Sequence, residues 1–219
     1  MIAAVVPALN EAETIGATIG ALFAAGIAQI IVVDGGSADD TAGRARLAGA
    51  EVIRSPAGRG RQMNRGALAA KAELLVFVHA DTRLPGDGAA QIRRALSDPA
   101  VVGGSFRLSF DDPHPLLAVY GRFSRLESRW TTFGDQAFFM RRQAWRAAGG
   151  FPEIPLLEDV VMRRRLRRLG LFVKAAGVVT TSARRFRREG VARRQLLNGL
   201  VLALHSLGVA PEDLNRFYR

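Results

Sequence analysis

The chain has 219 residues, 48% apolar and 23% charged, with 23 Gly, 9 Pro and no Cys, a globular composition long enough for its own core and unlike a disordered or fibrous chain. The missing cysteine excludes disulfides, thiolate zinc sites, iron–sulfur clusters and cysteine nucleophiles. The net charge of +11 resides in one segment, Arg141 to Arg194, which holds 15 of the 31 basic residues against 4 of the 20 acidic ones; such a segment suits nucleic acid, an anionic membrane or a phosphorylated small molecule alike.

The N-terminal MIAAVVPALNE has no basic stretch before its apolar run and meets Pro7 and Glu11 too soon for a secretory signal, so the cytoplasm is the expected compartment. No apolar window approaches the roughly 20 residues of a membrane span. Ile2 to Val6 reads as a strand buried on both faces of a parallel sheet. Asn10 reads as an N-cap, Glu13 as its capping-box partner, and Ile15, Ile19, Leu22 and Phe23 as one stripe of the helix that follows. A second strand over Gln29 to Val33 leads into Asp34-Gly35-Gly36-Ser37; a helix from Asp40 to Ala48, a strand over Glu51 to Arg54, a helix from Arg61 to Lys71 and a strand over Leu74 to Val78 follow. Four strands alternating with three helices predict an α/β open sheet with right-handed crossovers. Beyond Asp98 the pattern predicts a strand over Val101 to Phe110, a helix from Pro115 to Trp130, a strand over Gln136 to Arg141, a basic helix from Leu157 to Leu169 and an amphipathic helix from Val191 to Leu207. No repeat or linker divides the chain, so one domain with two functional halves, residues 1–97 and 98–219, is expected.

In such sheets ligands bind outside the carboxyl ends of the strands. Pro7, Asn10 and Glu11 follow the first strand, Asp34, Asp39 and Asp40 the second, and His79 and Asp81 the fourth. Single loop acids ordinarily cap helices, but Asp34 and Asp81 directly follow buried runs, where an unpaired charge is costly unless it meets a metal or a donor. Gly58-Arg-Gly60-Arg-Gln-Met63 puts Met where a dinucleotide fingerprint needs its third Gly, follows the third strand, and no Walker lysine motif exists, so both nucleotide-loop readings fail. Arg59, Arg61 and Arg65 remain on a flexible loop suited to phosphate or a base edge. The three histidines, His79, His114 and His205, stand without a nucleophile elbow, which removes a Ser–His–acid set.

Taken in order, Pro7-Ala-Leu-Asn10-Glu11, Val33-Asp34-Gly35-Gly36-Ser37-Ala-Asp39-Asp40-Thr41, Gly60-Arg61-Gln-Met-Asn64-Arg-Gly66, His79-Ala-Asp81 and Glu158-Asp159 resemble the family 2 glycosyltransferases of the A-type (GT-A) fold. Gly134-Asp135-Gln136 and the C-terminal Gly208-Val-Ala-Pro-Glu-Asp-Leu-Asn-Arg-Phe-Tyr are similar to a short bacterial subgroup labelled arsenosugar-biosynthesis glycosyltransferases. The resemblance implies a mostly parallel mixed sheet flanked by helices and a nucleotide-diphosphate sugar donor. It places Pro7, Asn10 and Glu11 against ribose and base, Asp34 and Gly35 on the nucleoside, Arg61 near base or phosphates, and Asp81 as the carboxylate of a DxD-type motif holding Mg²⁺ or Mn²⁺ on the diphosphate. This chain departs from that motif, since His79 stands at the first Asp position: the metal is held weakly, or His79 ligates it and favours Mn²⁺, or His79 meets sugar or phosphate instead. The resemblance further implies inverting transfer with Asp159 as general base, Glu158 orienting it or meeting the acceptor, and Asp135 and Gln136 on the acceptor side.

Arg184, Arg185, Arg187 and Arg188 ahead of the helix from Val191 make a basic-then-apolar arrangement suited to peripheral contact with an anionic membrane; the alternative is a helix packed on the domain with solvated arginines. A nucleic-acid-binding module leaves the acidic strand ends unexplained, because they would repel phosphate, so no nucleic-acid partner is expected. A sugar nucleotidyltransferase would want a Gly-rich basic loop after the first strand, which Ala8-Leu9-Asn10-Glu11 is not.

Overall fold

The computed structural model describes residues 1–218, with side chains through 216. The four expected apolar runs form β1 (Ile2–Ala8), β2 (Gln29–Asp34), β3 (Glu51–Arg54) and β4 (Leu74–Phe77), paired in parallel in the order β3-β2-β1-β4. Alternate residues of β1 enter different cores: Ile2, Ala4 and Val6 meet α1 (Ile15–Ala24), whereas Ala3 and Val5 meet α3 (Arg59–Ala69). A strand covered on both faces gains nothing from alternation, which is why β1 is apolar at every position to Val6. Pro7 extends the pairing with β2 opposite Val33 but lies past the Val5–Phe77 end of the β4 ladder, so its missing N–H costs that ladder nothing.

The second half continues the same sheet. With β5 (Thr82–Arg83), β6 (Val101–Phe110), β7 (Phe138–Arg141) and β8 (Leu171–Thr181), its order is β3-β2-β1-β4-β7-β6-β8-β5. β7 is antiparallel to both β4 and β6, while β6 and β8 are parallel. The short β5 at the sheet's end is antiparallel to β8, but it is the reversal of β7 that positions the site. It brings the start of β7, and the turn just before it, to the sheet edge where β1, β2 and β4 end, and the ends of β6 and β8 arrive there too. The remaining helices are α2 (Thr41–Leu47), α4 (Gly88–Ala95), α5 (Pro115–Phe123), α6 (Arg142–Ala147), α7 (Glu158–Leu166), α8 (Arg184–Glu189), α9 (Val191–Ser206) and α10 (Pro211–Tyr218).

Several sequence expectations are corrected. Asn10 is not an N-cap: its φ of 56° is left-handed, α1 starts only at Ile15, and the Glu11 carbonyl receives the N–H groups of Thr14 and Ile15. Glu13 makes no capping box, its side chain being exposed toward Arg184. α5 stops at Phe123 because Ser124 turns back, its hydroxyl donating to the Gly121 carbonyl (2.6 Å) and accepting the Leu108 N–H (2.8 Å). β7 starts two residues later than expected, and the sequence pattern does not predict α4, β5, α6, β8 or α8. β8 escapes notice because its pairing with β6 is broken by two register shifts and its run carries Lys174 and Gly177, which blur any period of two.

Gly66 lies within α3, where alanine would ordinarily stabilise a helix by about 1 kcal/mol. Here an added Cβ would stand 2.3 Å from Val5 Cγ1 and 2.9 Å from Val33 Cγ2. Both neighbours are stiff, fully buried side chains. Gly66→Ala should therefore destabilise by roughly 1–3 kcal/mol and lower the melting temperature by about 2–10 °C in calorimetry; an unchanged or higher Tm would refute this close helix–sheet approach.

Candidate active site

The loops after β1 and β2 interlock through backbone donors. Asn10 donates its N–H to Ser37 Oγ (2.9 Å) and accepts the Ala38 N–H on Oδ1 (2.8 Å). Glu11 N–H donates to Thr41 Oγ1 (2.8 Å) and Ala12 N–H to Asp39 Oδ2 (3.1 Å). Asp34 is buried and its Oδ1 accepts both the N–H and the hydroxyl of Ser37, while Gly35 N–H closes on the Ala8 carbonyl at 2.9 Å. The Thr41 hydroxyl bond holds the Asp39 carboxyl below its ordinary range.

Under these loops Gln62 of α3 is buried, and its Nε2 donates to the carbonyls of Ala8 (2.9 Å) and Val33 (2.8 Å), joining the ends of β1 and β2. A Cβ at Gly35 would sit 3.0 Å from that nitrogen, so glycine is what admits the amide. Arg61 turns to Glu153 (2.9 Å), with both side chains about half exposed. Arg59, two residues earlier, lines a narrow cleft together with Pro7, His79, Gly134, Glu158 and Asp159. The cleft's apolar floor includes Phe77 and Phe151, packed edge to face at 4.8 Å.

His79 follows β4. Burial, aided by the Arg59 charge, pushes its imidazole down to about 3, so it is neutral with a free nitrogen lone pair. Burial and then the Glu11 charge push the Asp81 carboxyl up, against the opposing charge of Arg184. Arg184, the first residue of α8, donates to Glu11 Oε2 at 2.8 Å, which raises its own pKa and ties the C-terminal helices to the loop after β1. Among the described residues no three His, Asp or Glu stand close enough to hold a metal unaided.

The opposite wall is the 3-10 turn Gly134–Gln136. Gly134 N–H donates to Asp159 Oδ2 at 2.5 Å and Val160 N–H to Oδ1 at 2.8 Å, so two backbone groups aim the Asp159 carboxylate. A Cβ on residue 134 would lie 3.1 Å from Oδ2. Glu158 is buried against Arg59 (3.0 Å); burial raises its pKa and the guanidinium opposes the rise. Gln136 is fully buried, donating to the Thr131 carbonyl (2.6 Å) and accepting from Lys174 Nζ (2.5 Å). Lys174 also donates to Ser105 Oγ (2.7 Å) and Thr132 Oγ1 (3.2 Å), which uses all three of its donors, and burial pulls its pKa down to about 7. Asp135 is pushed up to about 7, by burial first and by Asp159 second, and its Oδ1 is buried without a hydrogen-bond partner among the described residues. The three left-handed non-glycine residues of the described chain stand at the edges of this site: Asn10 before Glu11, Ala137 (φ 49°) after Gln136, and Leu157 (φ 64°) before Glu158. Each costs about 1–3 kcal/mol and persists only where its surroundings enforce it.

Residues 3–147 match the sequence profile of glycosyl transferase family 2. The chain belongs to that family. Within family 2, a 92-residue stretch, 36% of this chain and 30% of the relative, is 36% identical to the glucosyl-3-phosphoglycerate synthase of Mycolicibacterium smegmatis. The chain thus spans under a third of that curated relative. Superposition gives a TM-score of 0.73 with a mannosyltransferase from Pyrobaculum calidifontis solved with GDP-Man and Mn²⁺, at 19% identity over 96% of this chain and 65% of the other. It gives 0.65 with the Mycobacterium tuberculosis glucosyl-3-phosphoglycerate synthase solved with Mn²⁺, UDP-Glc and phosphoglyceric acid, at 22% identity over 95% and 80%. These likenesses place this family 2 glycosyltransferase in the GT-A fold.

Lys174, Arg184 and Gln62 were not singled out as site residues from sequence. Lys174 carried a usable signal: the chain has two lysines against 29 arginines, and one of them interrupts the apolar run 171–179. Arg184 sits in a basic run and Gln62 has no distinguishing pattern. The strained charge at Asp135 has a sign that can be measured. A carboxyl raised from 3.8 to about 7 on folding contributes fully only below the unfolded value, and that contribution is lost as pH rises toward 7. Asp135→Asn should therefore melt with wild type near pH 4, above it increasingly between pH 4 and 7, and by a constant margin beyond, in thermal melts across that range. A variant less stable than wild type at pH 8 would overturn the assignment.

Proposed function

We propose that this glycosyltransferase moves one sugar from a nucleotide-diphosphate sugar to an acceptor hydroxyl with inversion at the anomeric carbon, Asp159 taking the hydroxyl proton. One observation carries the reading: the Asp159 carboxylate and the strand-end residues Pro7 and His79 line the same cleft, so a base and a donor rim face each other. In this reading residues 1–97 hold the donor and residues 98–219 the acceptor, in the cytoplasm. Pro7, Asn10, Glu11, Asp34 and Gly35 frame the nucleoside. Arg59 meets the diphosphate in preference to Arg61, because each is paired with a glutamate but Arg59 alone of the two lines the cleft.

The pair His79 and Asp81 fits Mg²⁺ or Mn²⁺ as an incomplete donor set. A neutral imidazole offers nitrogen, and a carboxyl whose charge is disfavoured by burial and Glu11 gains most from a cation. With fewer than three protein donors, the remaining positions belong to phosphate oxygens and water. When bound, such an ion neutralises the departing diphosphate. The protein's own part is to orient and deprotonate. The acceptor oxygen attacks the anomeric carbon as its proton passes to Asp159, whose two backbone bonds leave one lone pair free on each oxygen. A base so placed is worth about 10²- to 10⁴-fold. Glu158, neutralised by Arg59, steadies the helix start that carries Asp159, while Asp135 and Gln136 shape the acceptor side.

Calorimetric titration with uridine, guanosine, cytidine and thymidine diphosphates, with and without Mn²⁺, tests the donor half alone. One of them should bind in a Mn²⁺-dependent way, and Asp81→Ala should abolish that dependence. Asp159→Asn should bind the same nucleotide equally well yet transfer sugar at least about 100-fold more slowly. Turnover surviving in Asp81→Ala, or nucleotide binding lost in Asp159→Asn, counts against the proposal.

A further inference from the structure

Outside the cleft the largest unexplained feature is an apolar, arginine-flanked face on the C-terminal helices. α5 turns Leu116, Val119 and Phe123 to solvent, each 45–55% exposed at a spacing that puts them on one side, and the chain beyond adds Leu126 and Trp130. α9 does the same with Leu196 (75%), Leu200 (55%) and, just past its end, Leu207 (81%), while Val201 and Leu202 supply its buried side. α5 and α9 pack beside one another, and Phe110 of β6 joins Tyr120 of α5 (5.6 Å) to Phe186 of α8 (5.4 Å), so the three helices form one layer on the sheet. Large exposed apolar residues are unremarkable singly, but in rows they mark a docking face.

The charge around this face is one-sided. Between Pro113 and Trp130 the only acid is Glu127, bound to Arg163 and Arg167, and between Val191 and Gly208 there is none. Arg122, Arg125, Arg129 and Arg193 are exposed and form no ion pair among the described residues, and Arg129 lies 4.7 Å over the Trp130 ring. All four arginines of the run ahead of α9 are already engaged, Arg184 by Glu11, Arg187 by Asp111 and Asp112, and Arg185 and Arg188 by Glu189, as is the buried Arg194 by Glu189. No helix among the described residues is long and apolar enough to cross a membrane.

We infer that this face docks on an anionic lipid surface, with Phe123, Trp130, Leu196 and Leu200 entering the interface and Arg122, Arg125, Arg129 and Arg193 meeting lipid phosphates. Leu, Phe and Trp edged by arginine is the composition of an interfacial helix face, and an aromatic ring with an adjoining cation suits the headgroup boundary. Charge selects this occupant over a second copy of the chain, since a two-fold contact through the same patch would set arginine against arginine. The inference stands on the face alone and is independent of which sugar or acceptor the cleft takes.

Sedimentation with sucrose-loaded vesicles tests it, using phosphatidylcholine alone and phosphatidylcholine with about one-third phosphatidylglycerol, at low and high salt. The full chain should pellet with the anionic vesicles, weakly or not at all with the neutral ones, and less as salt rises. Leu196→Asp with Leu200→Asp should cut partition at least about tenfold, and Arg122→Ser, Arg125→Ser and Arg129→Ser by about fivefold each. All five side chains are solvent-facing, so melting temperature and nucleotide-diphosphate affinity should stay at wild-type values, which separates failure here from failure of the active-site reading. Wild type remaining in the supernatant with anionic vesicles, equal binding to neutral ones, or binding unchanged in every variant overturns the inference. So does a dimer in sedimentation velocity that Leu196→Asp with Leu200→Asp dissolves, which would assign the face to a second copy.

Discussion

Acidic groups crowd a rim that water only half reaches, and cations drawn from elsewhere in the chain stand among them. Arg184 crosses from α8 to Glu11, near Asp81; Arg59 spans from α3 to Glu158; Lys174 comes up from β8 beside Asp135. Burial makes Asp81, Asp135 and Glu158 reluctant to ionise, and the price is met in part by contacts that bind the two halves of the sheet together. The balance is incomplete at Asp81, Asp135 and Glu158, whose pKa values remain raised; in the proposed function a cation at Asp81 and an acceptor at Asp135 would complete it at the two that lack an ion pair. Electrostatics therefore decides both how the halves are joined and where chemistry is left open.

How far this was visible beforehand differs between the two halves. In the first, β1, β2 and β4 are covered on both faces, so unbroken apolar runs followed by polar loops mark strand ends and rim residues together. Asp34, His79 and Asp81 could be placed at one edge from that pattern alone. What the pattern could not carry was the local path after β1. Asn10 satisfies the usual preference for an N-cap, yet its short amide is also suited to a left-handed turn, and bonding to Ser37 and Ala38 across the neighbouring loop wins.

In the second half the signals conflict. β8 mixes lysine and glycine into an apolar run, and its partner β6 shifts register twice, so neither a period of two nor a buried run emerges. The arginines carry equal weight in sequence and very different roles in space: Arg163 and Arg194 are buried, while Arg122 and Arg129 are exposed. A count of charge identifies the basic half but says nothing about which guanidinium already has an acid beside it. That assignment depends on pairs more than thirty residues apart, such as Arg163 with Glu127.

The reversed strand β7 also determines where the chain tolerates a change of length. Between β6 and the turn the chain carries α5, packed on the sheet through buried Leu117, and added length is cheap there only at the exposed turns, since doubling a flexible loop costs only about 0.6 kcal/mol. The stretch from Gly134 to Phe138 has no such freedom. Phe138 and Phe139 enter opposite cores, and Gly134 is fastened to the aspartate of α7. One inserted residue there would swap the two aromatic faces or pull Gly134 off the aspartate. The residue count between the glycine that meets the aspartate and the paired aromatics is therefore fixed by geometry at both ends.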